Sequence, residues 1–238
     1  NISLSCEQTL LAIQSGSQRP VLTFAHDKDF RFDAIVLANG HCAANFSDAI
    51  RLIPVRGQSS RASLRPGAHL AHAIGHGGYV AKYPDDPGKL IFGATHLRDD
   101  CDVRLRPSET IENRQVLQQC CPALATDIEN IQDAHAAIRA STPDRLPLVG
   151  ALPDTEFYRK EYAGLSQGKH YKHYPDARYH AGVYLLTGLG SRGLCTAGYC
   201  AHLLAHIICG QASPAPEETL RALHPARFMI RENKKHSG

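Results

Sequence analysis

Gly188, Gly190 and Gly193 stand in G-x-G-x-x-G spacing between an apolar run, Gly182 to Thr187, and a helical pattern from Leu194 to Cys209 with Leu194, Ala197, Ala201, Leu204 and Ile208 on one stripe. Strand, glycine turn and helix in that order present backbone N–H groups and the positive end of a helix dipole to an anion or to the polar edge of a cofactor. Glycines that merely let a helix and a strand pack closely would look the same, and on these residues alone both readings stand. An NAD site is excluded by context. It needs a second strand ending in an acid about 20 residues onward, and that region here is the linker Ala212–Ser213–Pro214–Ala215–Pro216.

Arg139 ends a β-like segment, Ala134 to Ala140, and is followed by Thr142–Pro143–Asp144–Arg145–Leu146–Pro147–Leu148–Val149–Gly150. A guanidinium entering the interior needs a fixed acidic partner. Arg offers a carboxylate two parallel hydrogen bonds, so Arg139 suits a site that orients a small acid group. An internal ion pair with one of the chain's 23 acids is the alternative.

Other chemistries find little support. Of 14 histidines, His69, His72 and His76 flank a strand-like run, and His202 and His206 lie four apart on the last long helical segment, without the glutamate of H-E-x-x-H. No metal site is expected. No G-x-S-x-G is present, and Gly190–Ser191–Arg192–Gly193 lacks its spacing. Eight cysteines without a C-x-x-C read as reduced thiols.

The elements that must position these residues read as a mixed α/β protein. Glu7 to Gln14 reads as a short helix ending before Gly16, then strands Val21 to Ala25 and Phe32 to Leu37 flank His26–Asp27–Lys28–Asp29. The second strand is apolar enough to be buried on both faces and stops at Ala38–Asn39–Gly40, the way a parallel sheet brings backbone near a ligand. Leu52 to Arg56, Ala68 to Ile74, Tyr79 to Tyr83 and Leu90 to Thr95 read as antiparallel strands, with Pro84 to Gly88 as a hairpin loop. Ser108 is placed to cap a helix running to Cys121, and Glu217 to Leu223 reads as a short helix. A basic tail follows, with Arg221, Arg227, Arg231, Lys234 and Lys235 read as a solvated end or as phosphate contacts.

The 238 residues allow one large domain or two small ones, and 43% hydrophobic with 21% charged residues is the balance of a folded protein. A formal charge of +3 is too small for bulk attraction to nucleic acid, so a polyanion would have to meet a local patch. No apolar run of the length of a membrane helix and no signal-peptide pattern is seen, which predicts a cytoplasmic protein without membrane contact. The chain opens on Asn1 and holds one methionine, Met229, which suggests part of a longer polypeptide.

Three strings in order carry a resemblance: Val36–Leu37–Ala38–Asn39–Gly40, Pro54–Val55–Arg56–Gly57–Gln58, and Ile138–Arg139 through Gly150 with Gly188–Leu189–Gly190–Ser191–Arg192–Gly193–Leu194–Cys195. They resemble the FAD-dependent amine oxidoreductases of the glycine oxidase and D-amino-acid oxidase type. With Leu223–His224–Pro225–Ala226–Arg227 they look most like the carboxyl-terminal oxidoreductase domains of the bifunctional tRNA 5-methylaminomethyl-2-thiouridine biosynthesis proteins. The Leu189 to Cys195 string is the most specific piece.

The resemblance implies an FAD-dependent amine oxidase type fold, with a partial FAD-binding part at 1–50 and 139–238 and an antiparallel-sheet substrate part at 51–138. It implies removal of the carboxymethyl group from 5-carboxymethylaminomethyl-2-thiouridine at the tRNA wobble position, with glyoxylate released and the aminomethyl nucleoside left for a methyltransferase domain of the same polypeptide. An FAD-dependent oxidase of free glycine or proline, and a noncatalytic RNA-binding or interaction module, are the alternatives. On this resemblance Arg139 is the catalytic arginine that pairs with the substrate carboxylate, and Tyr79 lies on the substrate side. Gly188, Leu189, Gly190, Ser191, Arg192, Gly193 and Leu194 face the flavin ring and ribityl chain. Arg56, Gly57 and Gln58 run past the ring, and Ala38, Asn39 and Gly40 lie near the ADP half. The pyrophosphate-binding glycine turn of such oxidases has no counterpart before Ala38, so FAD binding by this chain alone is expected to be weak or absent.

Overall fold

In the computed structural model, residues 3–15, 19–25, 28–75, 77–167, 169 and 173–235 are described. The strands are β1 (Leu10–Gln14), β2 (Val21–Phe24), β3 (Lys28–Arg31), β4 (Ile35–Leu37), β5 (Ile53–Leu64), β6 (Ile74–Gly75), β7 (Tyr79–Tyr83), β8 (Asp86–Gly93), β9 (Leu97–Arg98), β10 (Ile128–Ser141), β11 (Leu148–Pro153) and β12 (Tyr179–Thr187). The helices are α1 (Pro107–Cys120), α2 (Pro122–Thr126), α3 (Thr155–Glu161), α4 (Gly193–Ile208), α5 (Glu217–Leu223) and α6 (Arg227–Lys235). The chain divides into two compact units, Asn1–Ile53 with Ala140–Gly238, and Pro54–Arg139.

In the first unit a three-stranded sheet, in the order β11-β12-β4, is covered on both faces. Alternation along β12 sends Val183 and Leu185 to one side, where they pack with Leu22 of the antiparallel β1-β2-β3 meander, and Tyr184 and Leu186 to the other, against Leu203, Leu204 and Leu223. β12 and β4 run parallel, with Leu185 opposite Leu37.

Several expectations fail here for identifiable reasons. Glu7 to Gln14 is no helix; Leu10–Gln14 pairs antiparallel with β2, because a short isolated helix gains less than a strand whose Leu10 and Ile13 pack on the core. Phe32 to Leu37 is not buried on both faces: only Ile35–Leu37 is extended, at the sheet edge, with Ile35 and Leu37 buried and Val36 41% exposed. The turn at Gly16 and the pair His26–Asp27 lie outside the described residues. On α4 the buried residues are Cys200, Leu203 and Leu204, while Leu194 and Ala201 are exposed, so the packed stripe is rotated from the expected one.

The basic tail is solvated in part: Arg221, Arg231 and Lys234 are exposed, and Arg227 is not. Arg227 of α6 is 5% exposed, binds Asp144 through Nε at 2.9 Å and Nη2 at 2.8 Å, and donates to the carbonyls of Leu146 and Pro147. Arg231 reaches the same carboxylate at 2.6 Å, and Arg221 pairs with Glu217. The side chain of Lys235 lies outside the described residues.

The second unit is an antiparallel sheet in the order β10-β5-β8-β7-β6, with β9 also pairing β5. β5 continues eight residues beyond Arg56, the expected strand Ala68 to Ile74 is reduced to the two-residue β6, and Tyr83 opposite Asp86 shortens the hairpin turn to Pro84–Asp85. Ala62, Leu64, Val80, Leu90 and Phe92 form one face, packed on Leu117 of α1 and Ala125 of α2. Ser108 does not cap α1: Arg106 holds that position without a side-chain cap, and Pro107, whose missing N–H costs nothing in a first turn, begins the helix.

Candidate functional site

Two of the expected cofactor segments come together in the first unit. Because β4 and β12 are parallel neighbours, their carboxyl ends lie side by side, and Ala38–Asn39–Gly40 and Gly188–Leu189–Gly190 follow them directly. The Thr187 hydroxyl donates to the Gly40 carbonyl at 2.9 Å and fixes the pair. Gly188 has φ +72°, and a Cβ there would stand 2.7 Å from the Thr142 methyl, so only glycine fits the turn.

Past it, Gly190–Arg192 forms one 3₁₀ turn and α4 begins at Gly193, with no side-chain cap on its N-terminus. No side chain satisfies the N–H groups of its first turn, which is where a ligand or water can meet them. Ser191 and Arg192 are exposed, Leu194 fully so, and Leu189 tucks back against the α4 core group. Above Gly40 no atom lies within 4 Å of a built Cβ. Two adjoining glycine turns, one leading into an uncapped helix, fit the edge of a flavin and a polar chain attached to it. Thr142 and Thr187, which shape this cradle, were not singled out from the sequence. Their only signal is position, one before Pro143 and one before the glycine turn.

The second unit holds Arg56, Gly57, Gln58, Tyr79 and Arg139, and separates them by sheet face. Arg56 is fully buried on the α1 side, bound to Glu109 at 2.9 Å and to the carbonyls of Arg104 and Asp102. Gln58 is equally buried. Its amide nitrogen donates to the Arg106 carbonyl and the Thr110 hydroxyl, and its oxygen accepts from Arg56 and from the Arg106 N–H. Every polar position of Gln58 is thus used within the unit, and Arg56 is likewise bound there. Arg106 continues the network to Asp100 and Asp102, and those hydrogen bonds hold Asp100 below the usual carboxylate range.

Gly57, on the opposite face, is the bed for Arg139. A Cβ at Gly57 would overlap Nη1 of Arg139 and stand 2.7 Å from its Cζ. Among the described residues no carboxylate pairs with Arg139, and its Nη1 is buried without a hydrogen-bond partner. Register puts Tyr79 on that same face: Tyr79 is opposite Gly93, and Gly93 is opposite Ser59, two residues from Gly57. Gly57, Ser59 and Gly93 make a floor of small residues, Arg139 stands at one side, and Tyr79, 38% exposed, at the other. Such a trough can take a flat group bearing an acid.

Among the described residues no three His, Cys, Asp or Glu side chains come together as a metal site, and no helix is long and apolar enough to cross a membrane. His202 and His206 stack edge to face at 4.7 Å, and His206 Nδ1 bonds the Ala212 carbonyl. His76 lies outside the described residues.

A parallel strand pair ending in glycine turns, carried by the same chain as an antiparallel sheet, is the architecture of flavin-dependent oxidases. The glycine oxidase of Geobacillus kaustophilus shares this fold with a TM-score of 0.72 at 18% identity, over 92% of this chain and 52% of that one. The iminodiacetate oxidase of Chelativorans does so with a TM-score of 0.69 at 20% identity, over 90% of this chain and 52% of that one. The family described as FAD dependent oxidoreductase matches residues 5–207, and the chain belongs to it. It is similar to the tRNA 5-methylaminomethyl-2-thiouridine biosynthesis bifunctional protein MnmC of Aliivibrio fischeri, 28% identical over 236 residues, 96% of this chain and 35% of that protein. The protein of the same name from Pseudoalteromonas atlantica is 36% identical over 208 residues, 84% of this chain and 29% of that protein. The chain thus spans about a third of the length of these relatives.

Proposed function

We propose that this chain is part of an FAD-dependent oxidoreductase that removes the carboxymethyl group from 5-carboxymethylaminomethyl-2-thiouridine at the wobble position of a tRNA. Glyoxylate is released, and the aminomethyl nucleoside passes to a methyltransferase domain of the same polypeptide, in the cytoplasm. The observation that carries this reading is the Arg139 guanidinium, laid on Gly57 with a buried nitrogen that has no acceptor. A buried donor of this kind calls for a partner, and a substrate carboxylate supplies one in the bidentate geometry Arg favours.

Ala38–Asn39–Gly40 and Gly188 to Leu194 would hold FAD, which would supply the hydride acceptor. The protein's own part is to bind and orient. Arg139 holds the carboxylate and so fixes the carbon beside it, Tyr79 bounds the trough, and the N-terminus of α4 would offer partial positive charge to a bound flavin. Loss of two electrons from that carbon turns the secondary amine into an imine, which water opens to glyoxylate and the amine. No acid–base pair is required of the protein. The relatives' names favour a tRNA-linked amine over a free amino acid.

The test is glyoxylate release from tRNA carrying 5-carboxymethylaminomethyl-2-thiouridine, by the chain expressed within its full polypeptide, with Arg139→Ala inactive. Turnover of free glycine or proline with the modified tRNA inert would replace this reading by an amino-acid oxidase, and no turnover of any amine by the FAD-loaded protein would replace it by an RNA-binding module.

A further inference from the structure

Among the described residues two side-chain polar atoms are buried without a hydrogen-bond partner: Nη1 of Arg139 and Nε of Arg61. Both belong to the antiparallel sheet and both stand on the face away from α1. Arg61 is four residues beyond Gly57 on β5, so it shares the side of Gly57 and lies about 13 Å along the strand from it. Its guanidinium is fixed in plane. Tyr83 lies beneath it, with Cζ 4.4 Å from the ring centroid, and Asp133 of β10 holds Nη1 at 3.1 Å. The side chain is 33% exposed, so a flat, immobilised cation is left partly open beside the trough.

We propose that Arg61, on its bed of Tyr83, is a stacking platform for a nucleobase of the RNA that carries the substrate arm, and so a specificity residue separating nucleotide-linked from free amines. The inference rests on the function proposed above and deepens it. Asp133 offsets the charge of Arg61, so ion pairing with a phosphate is weak there, while a guanidinium plane stacked on one side by an aromatic ring accepts a base on the other. Arg61 leaves the strand about 13 Å from Gly57, on which Arg139 lies, a separation that a nucleotide bearing an amino-acid arm spans.

The experiment is a fluorescence-anisotropy titration of a short labelled oligouridylate with the chain and its Arg61→Ala and Arg61→Lys variants, beside calorimetric titration of iminodiacetate into the chain and its Arg139→Ala variant. Both Arg61 variants are expected to weaken oligouridylate binding about tenfold and to leave iminodiacetate binding unchanged. Arg61→Lys keeps the charge and the Asp133 pair, so its loss reports the missing plane and not a misfolded sheet. Unchanged oligouridylate binding in both Arg61 variants, with iminodiacetate binding lost in Arg139→Ala, overturns the platform and leaves the proposed function standing. Unchanged binding in all three variants overturns both.

Discussion

The guanidinium of Arg139 lies on the bare Cα of Gly57, in space that a side chain at 57 would fill. The obstruction would be the flexible end of an arginine, so Gly57→Ala costs little stability and acts by displacing Arg139. A misplaced clamp of this kind is expected to lower kcat/KM about a hundredfold in the full polypeptide. Arg139→Ala should lose at least as much, and the double variant no more than Arg139→Ala alone, because the glycine acts only through the arginine. Additive losses would mean that Gly57 has a separate role.

The parts of this fold that were legible in the sequence are those set by neighbours in the chain. Gly188 to Gly193 announced a turn and a helix start because Gly188 and Gly190 take a positive φ that favours glycine, and Tyr79–Tyr83 and Glu217–Leu223 have the lengths their patterns indicate. What stayed hidden depends on partners far away in sequence. Leu10–Gln14 is a strand because β2 is there to pair with it, the packed face of α4 is set by β11 and α5, and Arg227 is buried because Asp144 awaits it 83 residues earlier. Arg56 and Gln58 alternate correctly with Gly57, but no local signal tells which side of β5 faces α1 and which faces a ligand.

The Arg56–Glu109 pair holds the strand face under α1. Arg56 is fully buried and Glu109 is 4% exposed, so removing Glu109 leaves a buried guanidinium without its carboxylate. Glu109→Ala is expected to destabilise the protein by about 3–5 kcal/mol, read as a fall in the midpoint of urea unfolding. Replacing both residues by apolar side chains of similar size should cost much less than the single change.

Asp144 ties the loop after β10 to α6. Burial works against its charge, but the hydrogen bonds from Arg227 and Arg231 more than offset this and hold the carboxyl well below the usual range. A carboxylate with a depressed folded pKa contributes stability that is complete above its ordinary pKa of about 4 and is lost as pH falls toward the folded value. Asp144→Asn should therefore lower the melting temperature at neutral pH and narrow the gap from the wild type below about pH 3. A gap that is constant across this range would show that the charge of Asp144 is not what fastens α6.

His224 sets a second, milder pH window. Burial, with the Arg227 charge as a smaller cause, pushes its pKa down, and its Nδ1 accepts the Ala226 N–H at 3.1 Å. The folded state favours neutral imidazole, so the stability it contributes is complete above the unfolded pKa of about 6.5 and falls as pH drops through the folded value. The melting temperature of the wild type is expected to decline as pH falls below about 6.5, and His224→Asn, which keeps an acceptor but does not titrate, to remove that part of the decline.

Flavin content tests how much of the cofactor this chain can hold. The cradle of Gly40 and Gly188 to Leu194 offers backbone to a ring and its chain, and the pyrophosphate of FAD needs a further glycine turn at a helix start. Residues 1 to 38 contain no G-x-G-x-x-G. The chain purified alone should therefore carry far less than one flavin per molecule, measured as flavin absorbance against protein absorbance, and added FAD should be lost on gel filtration. Gly188→Ala, with its Cβ driven toward the Thr142 methyl, should abolish whatever residual binding a fluorescence titration detects. Near-stoichiometric flavin in the purified chain would show that the glycine turns at the ends of β4 and β12 anchor the cofactor without outside help.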